Sequence, residues 1–442
     1  MHSHLVWFFC CFWSFLGFSQ DLEQLIELHA ENMKNLSTSR SVNWTHSGKV
    51  TKSDLQDMLE DYNGNGYYLS VGVAIYTFHD DTLNFHLLTN YGLEIDTNYS
   101  IKKDSLISLI QFANTGFPEG AENRTPQLRG ANSENTRATG ISFEEAFERV
   151  NKLLLPEINE IRKLEHLIIV PVLNISTLPF AAFKLDEETY LIDEMSYSIA
   201  PSIFEIMVDY KKLTNSNYSM FDSMGRLRML FENPLFISNP TFSEKGDYVL
   251  PDLPGTTMEV DSILANLETS EYTRFEGQRA TKANVLNDIN ERDLLYFATH
   301  GISDSEDPLN NSFLALAEDN ANSSLTTREI QDLRFTCKLK ADLVVLSACQ
   351  TGLGKTHEGG IIGIGRAFQI AGAKHVVTSL WNISDSETAK LMSLFFKRLQ
   401  EYQVLTPHEA LRQAILEYKK NINPDPRYWA AFSIIGIPYH PF

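Results

Sequence analysis

The fold that we predict for this chain rests on the stretch Leu294-Leu295-Tyr296-Phe297-Ala298-Thr299-His300-Gly301. It opens with an apolar run that has the length and branching of a buried strand, and a histidine follows at the carboxyl end. A second run, Leu343-Val344-Val345-Leu346-Ser347-Ala348, has the same character and leads into Cys349. Open α/β sheets place their ligand crevice at the carboxyl ends of the strands. The two runs therefore predict a histidine and a thiol at one edge of a sheet.

The segments around these two strands alternate between strand and helix patterns. Short apolar runs at 234–238, 375–380 and 431–435 alternate with helical patterns such as 386–399 and 407–418, as expected of a parallel sheet with helical crossovers. The residues from Thr256 to Glu259 have the pattern of a capping box, which predicts the start of a helix that buries Met258. Nearer the amino terminus, residues 67–78 and 83–88 predict a strand pair joined by a tight turn. The fold class that we predict is α/β.

Composition limits the classes of function. The 442 residues include 57 acidic and 37 basic side chains, which gives a net charge of −20, and 43% of the residues are hydrophobic. That content is ample for a large core. The acidic surface argues against a broad nucleic-acid-binding face and favours basic peptides or basic protein partners.

The amino terminus has an uncharged apolar run at residues 5–18. This run is shorter than the roughly 20 residues that a membrane-spanning helix needs, but it suits the core of a signal peptide. We therefore predict a leader at residues 1–19, a secreted or periplasmic protein, and no stable membrane span. An uncleaved anchor at 5–18 or a misassigned start is the alternative, because the leader lacks the expected Lys or Arg before its apolar run.

Four cysteines are present, and two of them, Cys10 and Cys11, lie in the predicted leader. Only Cys337 and Cys349 would remain in the mature chain, which is too few for a disulfide scaffold.

The thiol of a free cysteine has a pKa of about 8.5 and is mostly protonated at neutral pH, so a nucleophilic cysteine needs a neighbouring base. His300 could accept the proton of Cys349 and later return it to a leaving amine. The backbone N–H groups of Gly301 and Cys349 are the predicted donors to the oxyanion. The alternative is that each side chain is structural, since both residue types are often buried.

The spacing of 49 residues between His300 and Cys349 agrees with the caspases, in which the histidine precedes the nucleophile by about 50 residues. Together with this spacing, three sequence blocks resemble the CHAT-domain proteins, a caspase-like group of cysteine peptidases of clan CD that is related to separase. The blocks are Phe297-Ala298-Thr299-His300-Gly301, Val344 to Gly352 around Cys349, and a carboxyl-terminal run from Gly359-Gly360 through Ser379-Leu380-Trp381 and Asp385 to Tyr428-Trp429-Ala430-Ala431-Phe432.

This resemblance implies a caspase-like three-layer α/β/α sandwich with a mainly parallel sheet, preceded by a degenerate pseudo-caspase half. It divides the chain into the leader (1–19), a helical and loop lead-in (20–64), the pseudo-caspase half (65–213) and the catalytic half (214–442). Relatives of this kind bind a basic substrate residue in an acidic pocket, and Asp385 resembles the separase residue assigned that task. Asp304 and Glu358 are second choices for substrate binding. The competing interpretation of Asp385 is a helix cap.

Other patterns lead to weaker hypotheses. Gly352-Leu353-Gly354-Lys355-Thr356 resembles a phosphate-binding loop, but the motif requires a glycine at the position of Cys349. His357 lies in this glycine-containing loop, which is a poor place to fix a base. The sequence predicts neither a metal site nor a cofactor.

The predicted function is a cysteine endopeptidase that uses His300 and Cys349 and cleaves a protein or peptide substrate after Arg or Lys. Two alternatives stay open at this point. One is a catalytically silent caspase-like module that binds or regulates a partner, and the other is a thiol acyl-transferase of a different kind. The oligomeric state has no signature in the sequence.

Overall fold

The structure, a computed structural model, describes residues 23–24, 26–27, 50–63, 69–117, 127–128, 141–156, 159–214, 229–243, 248–269, 271–304, 306–318, 323–348, 355–357, 360–401 and 406–438. The predicted leader, Cys349 and Glu358 lie outside the described residues, as does most of the predicted lead-in up to residue 49. No helix in the described part of the chain is both long and apolar enough to cross a membrane.

The described strands, numbered in chain order, are β1 (Val71–His79), β2 (Thr82–Thr89), β3 (Glu94–Ser100), β4 (Gln127–Leu128), β5 (His166–Val170), β6 (Ser196–Ile199), β7 (Leu235–Pro240), β8 (Tyr248–Val249), β9 (Thr273–Gly277), β10 (Leu294–Ala298), β11 (Gly301–Ile302), β12 (Phe313–Ala315), β13 (Ser324–Thr326), β14 (Leu343–Leu346), β15 (Lys355–His357), β16 (Gly360–Ile362), β17 (His375–Ser379) and β18 (Phe432–Ile435).

The described α-helices are α1 (Lys52–Asp61), α2 (Lys103–Asn114), α3 (Phe143–Leu154), α4 (Leu191–Glu194), α5 (Ile203–Thr214), α6 (Gly255–Leu264), α7 (Lys282–Asp288), α8 (Thr327–Thr336), α9 (Ile364–Ala371), α10 (Asp385–Leu399), α11 (Pro407–Asn421) and α12 (Pro426–Trp429). Short 3₁₀ turns lie at Asn159–Lys163, Ile175–Thr177 and Phe180–Ala182.

One large sheet organises the molecule, with strand order β3-β2-β1-β5-β6-β18-β17-β14-β10-β7-β9. Pairing is parallel except between β3 and β2, β2 and β1, and β18 and β17. The sheet confirms the predicted α/β class with mainly parallel strands. The boundary between β6 and β18 divides this sheet by sequence. Its strands from residues 65–213 end with β6 on one side, and its strands from residues 214–442 begin with β18 on the other.

Helices cover both faces of this sheet. Neighbouring residues of a strand point to opposite faces. In β10, Tyr296 contacts Phe396 of α10, whereas Phe297 contacts Phe368 of α9. The helices α9 and α10 therefore lie on opposite faces of the sheet. Near the other end of the sheet, Val73 of β1 packs in a second apolar cluster with residues of α1 and α5. The result is a three-layer arrangement.

The predicted strand pair near the amino terminus is confirmed by the antiparallel pairing of β1 with β2, and the turn between them holds Asp80 and Asp81 with positive φ. The prediction that α6 buries Met258 is wrong, because this side chain is 67% exposed. The helix begins at Gly255, before the predicted capping residue Thr256, and its N-cap residue Pro254 makes no side-chain hydrogen bond. It buries Glu259, next to Met258, and the Glu259 carboxylate accepts a hydrogen bond from the Tyr296 hydroxyl.

A buried ion pair joins α5 and α9, two helices that are far apart in the sequence. Arg366 on α9 and Glu205 on α5 are 2% and 9% exposed, and the Arg366 Nε donates to Glu205 Oε1 at 3.1 Å. Three residues further along α9, Gln369 donates to the Asp209 carboxylate on α5. Removing one partner of a buried ion pair leaves the other charge unpaired and poorly solvated, which destabilises the fold. These contacts therefore fix α9, the helix that follows the segment containing Cys349, against α5.

Three buried histidines that are far apart in the sequence contact one another. His408 on α11 packs against His166 of β5 and His375 of β17, with ring centroids 4.9 and 5.1 Å apart. Hydroxyl groups of Ser196 and Ser198 face the two ring nitrogens of His166 at 2.8 and 3.0 Å. Burial, and to a lesser degree the nearby His375, lowers the pKa of His166 to about 3. Burial, with His166 and His375 beside it, also lowers the pKa of His408.

This cluster predicts a loss of stability in acid. The folded state favours neutral rings, so their contribution is fully present above the unfolded pKa of about 6.5 and is lost as the pH falls toward the folded pKa. His166 alone gives a slope of about 1.4 kcal/mol per pH unit below that value. We expect His408→Phe, which removes one titrating ring, to lose less stability than the wild type between pH 7 and pH 5 in urea unfolding.

His79→Phe is the matched control, because it replaces a histidine whose side chain is 44% exposed and leaves the buried cluster intact. It should keep the loss of stability in acid that the buried rings cause. Equal slopes for the wild type and His408→Phe would contradict the role of the buried cluster.

Candidate active site

His300 lies where the central sheet meets a smaller one. It follows β10, and its carbonyl oxygen accepts a hydrogen bond from the N–H of Ala315 in β12 at 2.9 Å. The preceding Thr299 hydroxyl donates to the Ala315 carbonyl at 2.5 Å. The next residue, Gly301, opens β11 and pairs with Leu314. The chain around His300 is therefore held on both sides by backbone pairing, and the position of the imidazole is fixed by two sheets.

The His300 imidazole is fully buried and is oriented by a loop carbonyl. Its Nε2 lies 2.7 Å from the carbonyl oxygen of Pro251, and its ring packs on Phe242 with centroids 4.9 Å apart. A carbonyl oxygen can only accept a hydrogen bond, so Nε2 carries the proton. In the neutral ring, Nδ1 is then the nitrogen that can act as a base. The sequence offered no signal for Pro251, because the group that acts is a backbone carbonyl in a loop.

The neighbouring strand β14 pairs with β10 in parallel and in a constant register. Each of the four paired residues of β10 lies opposite the residue 49 positions later, as in the pair Phe297 and Leu346. His300 and Cys349 are separated by the same number of residues in the sequence. The described part of this segment ends at Ala348, whose carbonyl oxygen accepts a hydrogen bond from the Ser379 hydroxyl at 2.6 Å.

A small crevice adjoins the end of β14. The described residues that line it include Ser347, Ala348, Ser379, Trp381, Asn382 and Thr388. The Ser347 side chain is buried, and its hydroxyl has no hydrogen-bond partner in the described part of the chain. The sequence pointed to the strand that ends here, but it did not predict that the 381–383 segment and α10 would close over it.

The predicted substrate-binding residues occupy different places. Asp385 is the first residue of α10, and its half-buried side chain touches Gly255 at the start of α6. Thr388, which lines the crevice, follows three residues later and so lies on the same face of α10. The carboxylate of Asp304 accepts hydrogen bonds from the N–H groups of Glu306 and Asp307, both at 2.7 Å. Asp304 therefore organises its own loop.

Metal binding has no support in the geometry of the described residues. Among them, no group of three His, Cys, Asp or Glu side chains is arranged to hold a metal ion. Cys337, the other cysteine outside the predicted leader, is free and partly buried at the end of α8.

The hydrogen bond to Pro251 predicts how variants of His300 affect stability. In His300→Ala, a cavity forms and the carbonyl of the partly buried Pro251 loses its donor, which we expect to cost about 3 kcal/mol in all. In His300→Gln, the amide Nε2 can still donate to this carbonyl, and the loss should be smaller by about 1 kcal/mol or more. Urea unfolding at pH 7 measures both values, and equal losses in the two variants would contradict the proposed hydrogen bond.

Two curated proteins are similar in sequence to parts of this chain. Tetratricopeptide repeat protein 28 of Homo sapiens is similar at 23% identity over 305 residues, which are 59% of this chain and 11% of that protein. The protein of the same name in Mus musculus is 29% identical over 112 residues, which are 25% of this chain and 4% of that protein. The chain therefore spans only a small part of the length of these curated relatives.

Among solved structures, the chain is similar to the Saccharomyces cerevisiae separase–securin complex, with a TM-score of 0.49 and 12% identity over 94% of this chain and 33% of that one. It is also similar to the Arg-specific cysteine proteinase gingipain R, with a TM-score of 0.42 and 10% identity over 67% of each chain. At the level of sequence families, residues 144–437 match the CHAT domain. This match covers about two thirds of the chain and includes His300, the crevice and Asp385. The chain belongs to the CHAT domain family.

Proposed function

We propose that this chain is a cysteine endopeptidase in which His300 activates the thiol of Cys349. The observation that carries the proposal is the register of β10 and β14, whose pairs are 49 residues apart, the same spacing that separates His300 from Cys349. The proposal extends this register beyond its last described pair, Phe297 with Leu346, to His300 and Cys349. The hydrogen bond from Nε2 to Pro251 supports the proposal, because it leaves Nδ1 to act as the base.

In the proposed reaction, His300 Nδ1 accepts the proton of the Cys349 thiol as the thiolate attacks the carbonyl carbon of the scissile peptide. The resulting oxyanion is stabilised by the backbone N–H groups of Gly301 and Cys349. His300 then donates its proton to the leaving amine, and the C–N bond breaks to leave an acyl thioester. Water, deprotonated by His300, hydrolyses this thioester and releases Cys349.

The proposed substrate is a protein or peptide segment with Arg or Lys on the amino side of the cleaved bond. Asp385 supports this assignment because it shares a face of α10 with Thr388, a residue of the crevice beside β14. A carboxylate on this face of α10 can bind a guanidinium through two parallel hydrogen bonds. The net charge of −20 also favours the approach of basic segments. Secretion or export of the protein, with a leader at 1–19, stays a prediction of the sequence.

Fluorogenic peptides that end in Arg or Lys test the chemistry directly. We expect the wild type to cleave them and Cys349→Ala to lose at least about a thousandfold in kcat/KM, because the nucleophile is absent. Cys337→Ala is the matched control, since it removes the other cysteine outside the leader, and its activity should be retained. If the wild type cleaves none of the peptides and no thiol-directed probe labels Cys349, the chain is instead a binding module.

The role of Asp385 has its own test. In Asp385→Asn, the side chain keeps its shape but loses its charge, so the preference for Arg over an uncharged residue should fall about tenfold to a hundredfold. Glu387→Gln removes the same charge from the same turn of α10, where Glu387 bonds Tyr418 and Lys390. This control should keep the preference. An unchanged preference in Asp385→Asn would remove Asp385 from the substrate pocket without affecting the proposed dyad.

A further inference from the structure

We propose that Gly255 is a positioning residue for substrate selection, because its lack of a side chain lets the start of α6 pack directly against the Asp385 carboxylate. This inference rests on the proposed selection of basic residues by Asp385. Gly255, which is remote in sequence from both His300 and Cys349, fixes the position of the group that binds the substrate side chain.

The contact between Gly255 and Asp385 is closer than any other residue type would permit. A β-carbon at position 255 would lie 2.2 Å from the Asp385 β-carbon and 2.3 Å from its Oδ2. Both distances are far below the van der Waals contact of about 3.5 Å between carbon atoms. The backbone of Gly255 is not in the left-handed region, so the requirement here is space rather than conformational freedom.

The contact also places the carboxylate at the amino end of a helix. The N-cap position of α6 is Pro254, whose side chain accepts no hydrogen bond. Negative charge is favourable at a helix N-terminus, where backbone N–H groups point outward. The Asp385 carboxylate therefore lies where the field of α6 favours it, and the absence of a β-carbon at residue 255 allows this approach.

The same short segment contacts the candidate base. Between Pro251 and Gly255, one end of the segment accepts the hydrogen bond from His300 and the other end touches Asp385. The middle of the segment is anchored to the end of β7, because the N–H of Leu253 donates to the Asn239 side chain at 2.9 Å. We call residues 251–255 the bridging segment. Through it, the positions of the base and of the acidic group depend on one anchored piece of chain.

A purely structural role for Gly255, in the packing of α6 on α10, makes a different prediction. A second link lies away from Asp385, where the Nδ2 of Asn266, two residues beyond α6, donates to the Ser393 hydroxyl in the middle of α10 at 3.0 Å. Ser393→Ala weakens the same pair of helices at a distance from Asp385. It therefore serves as the matched control for a general loosening of the interface.

The experiment compares the full-length wild type, Gly255→Ala and Ser393→Ala in two assays. The first is the ratio of kcat/KM for a peptide ending in Arg to that for the same peptide ending in Ala. The second is the binding of benzamidine, a small cationic probe with a planar amidinium, measured by calorimetry without any need for catalysis. We expect Gly255→Ala to lose about tenfold in both the ratio and the affinity, and Ser393→Ala to change neither.

The outcomes separate this inference from the proposed function. Cleavage with an unchanged ratio in Gly255→Ala overturns the inference and leaves the peptidase intact. If the wild type cleaves nothing but binds benzamidine, and Gly255→Ala weakens that binding, the result overturns the peptidase and supports the inference. A wild type that neither cleaves nor binds benzamidine overturns both. Equal losses in Gly255→Ala and Ser393→Ala also overturn the inference.

A second variant covers the case in which Gly255→Ala does not fold. Asp385→Gly removes the β-carbon and the carboxylate that a methyl group at 255 would meet. The double variant Gly255→Ala/Asp385→Gly should therefore recover melting temperature relative to Gly255→Ala. A double variant that is no more stable than the single one would show that this contact is not the cause.

Discussion

The parallel pairing of β10 with β14 is the constraint on which the rest of the site depends. Parallel strands deliver successive residues to the same edge of a sheet, and here the register is constant along the whole pair. Both strands are fully buried between helices on the two faces, so a slip of one residue would turn every side chain to the wrong layer. The register of the core therefore determines which residues leave the sheet side by side.

The bridging segment turns this geometry into a chemical site. A histidine at a strand end can rotate, and a hydrogen-bond partner must distinguish which of its two ring nitrogens carries the proton. The Pro251 carbonyl makes this distinction for His300, and Phe242 supports one face of the ring. At the other end of the segment, Gly255 meets Asp385. A loop outside strands β10 and β14 thus connects the candidate base with the candidate binding group.

The sequence predicted those features of the structure that depend on local pattern, such as the buried strands. The apolar run from Leu343 to Leu346 could only be satisfied by burial on both faces, and the structure confirms it as β14. It did not predict contacts that depend on tertiary packing. Met258 was expected in the core, yet α6 turns Glu259 inward to meet the Tyr296 hydroxyl. No periodicity reveals such a buried polar pair, nor the choice of Pro251 as a hydrogen-bond acceptor.

The measurement that tests the central claim most directly is the pH dependence of alkylation of Cys349 by iodoacetamide, followed by mass spectrometry of the digested protein. Cys337 in the same digest is the internal reference. A thiol paired with His300 should react with an apparent pKa well below the value of about 8.5 for a free cysteine, and His300→Ala should return it to that range. The same pH profile for Cys349 in the wild type and in His300→Ala would contradict the dyad.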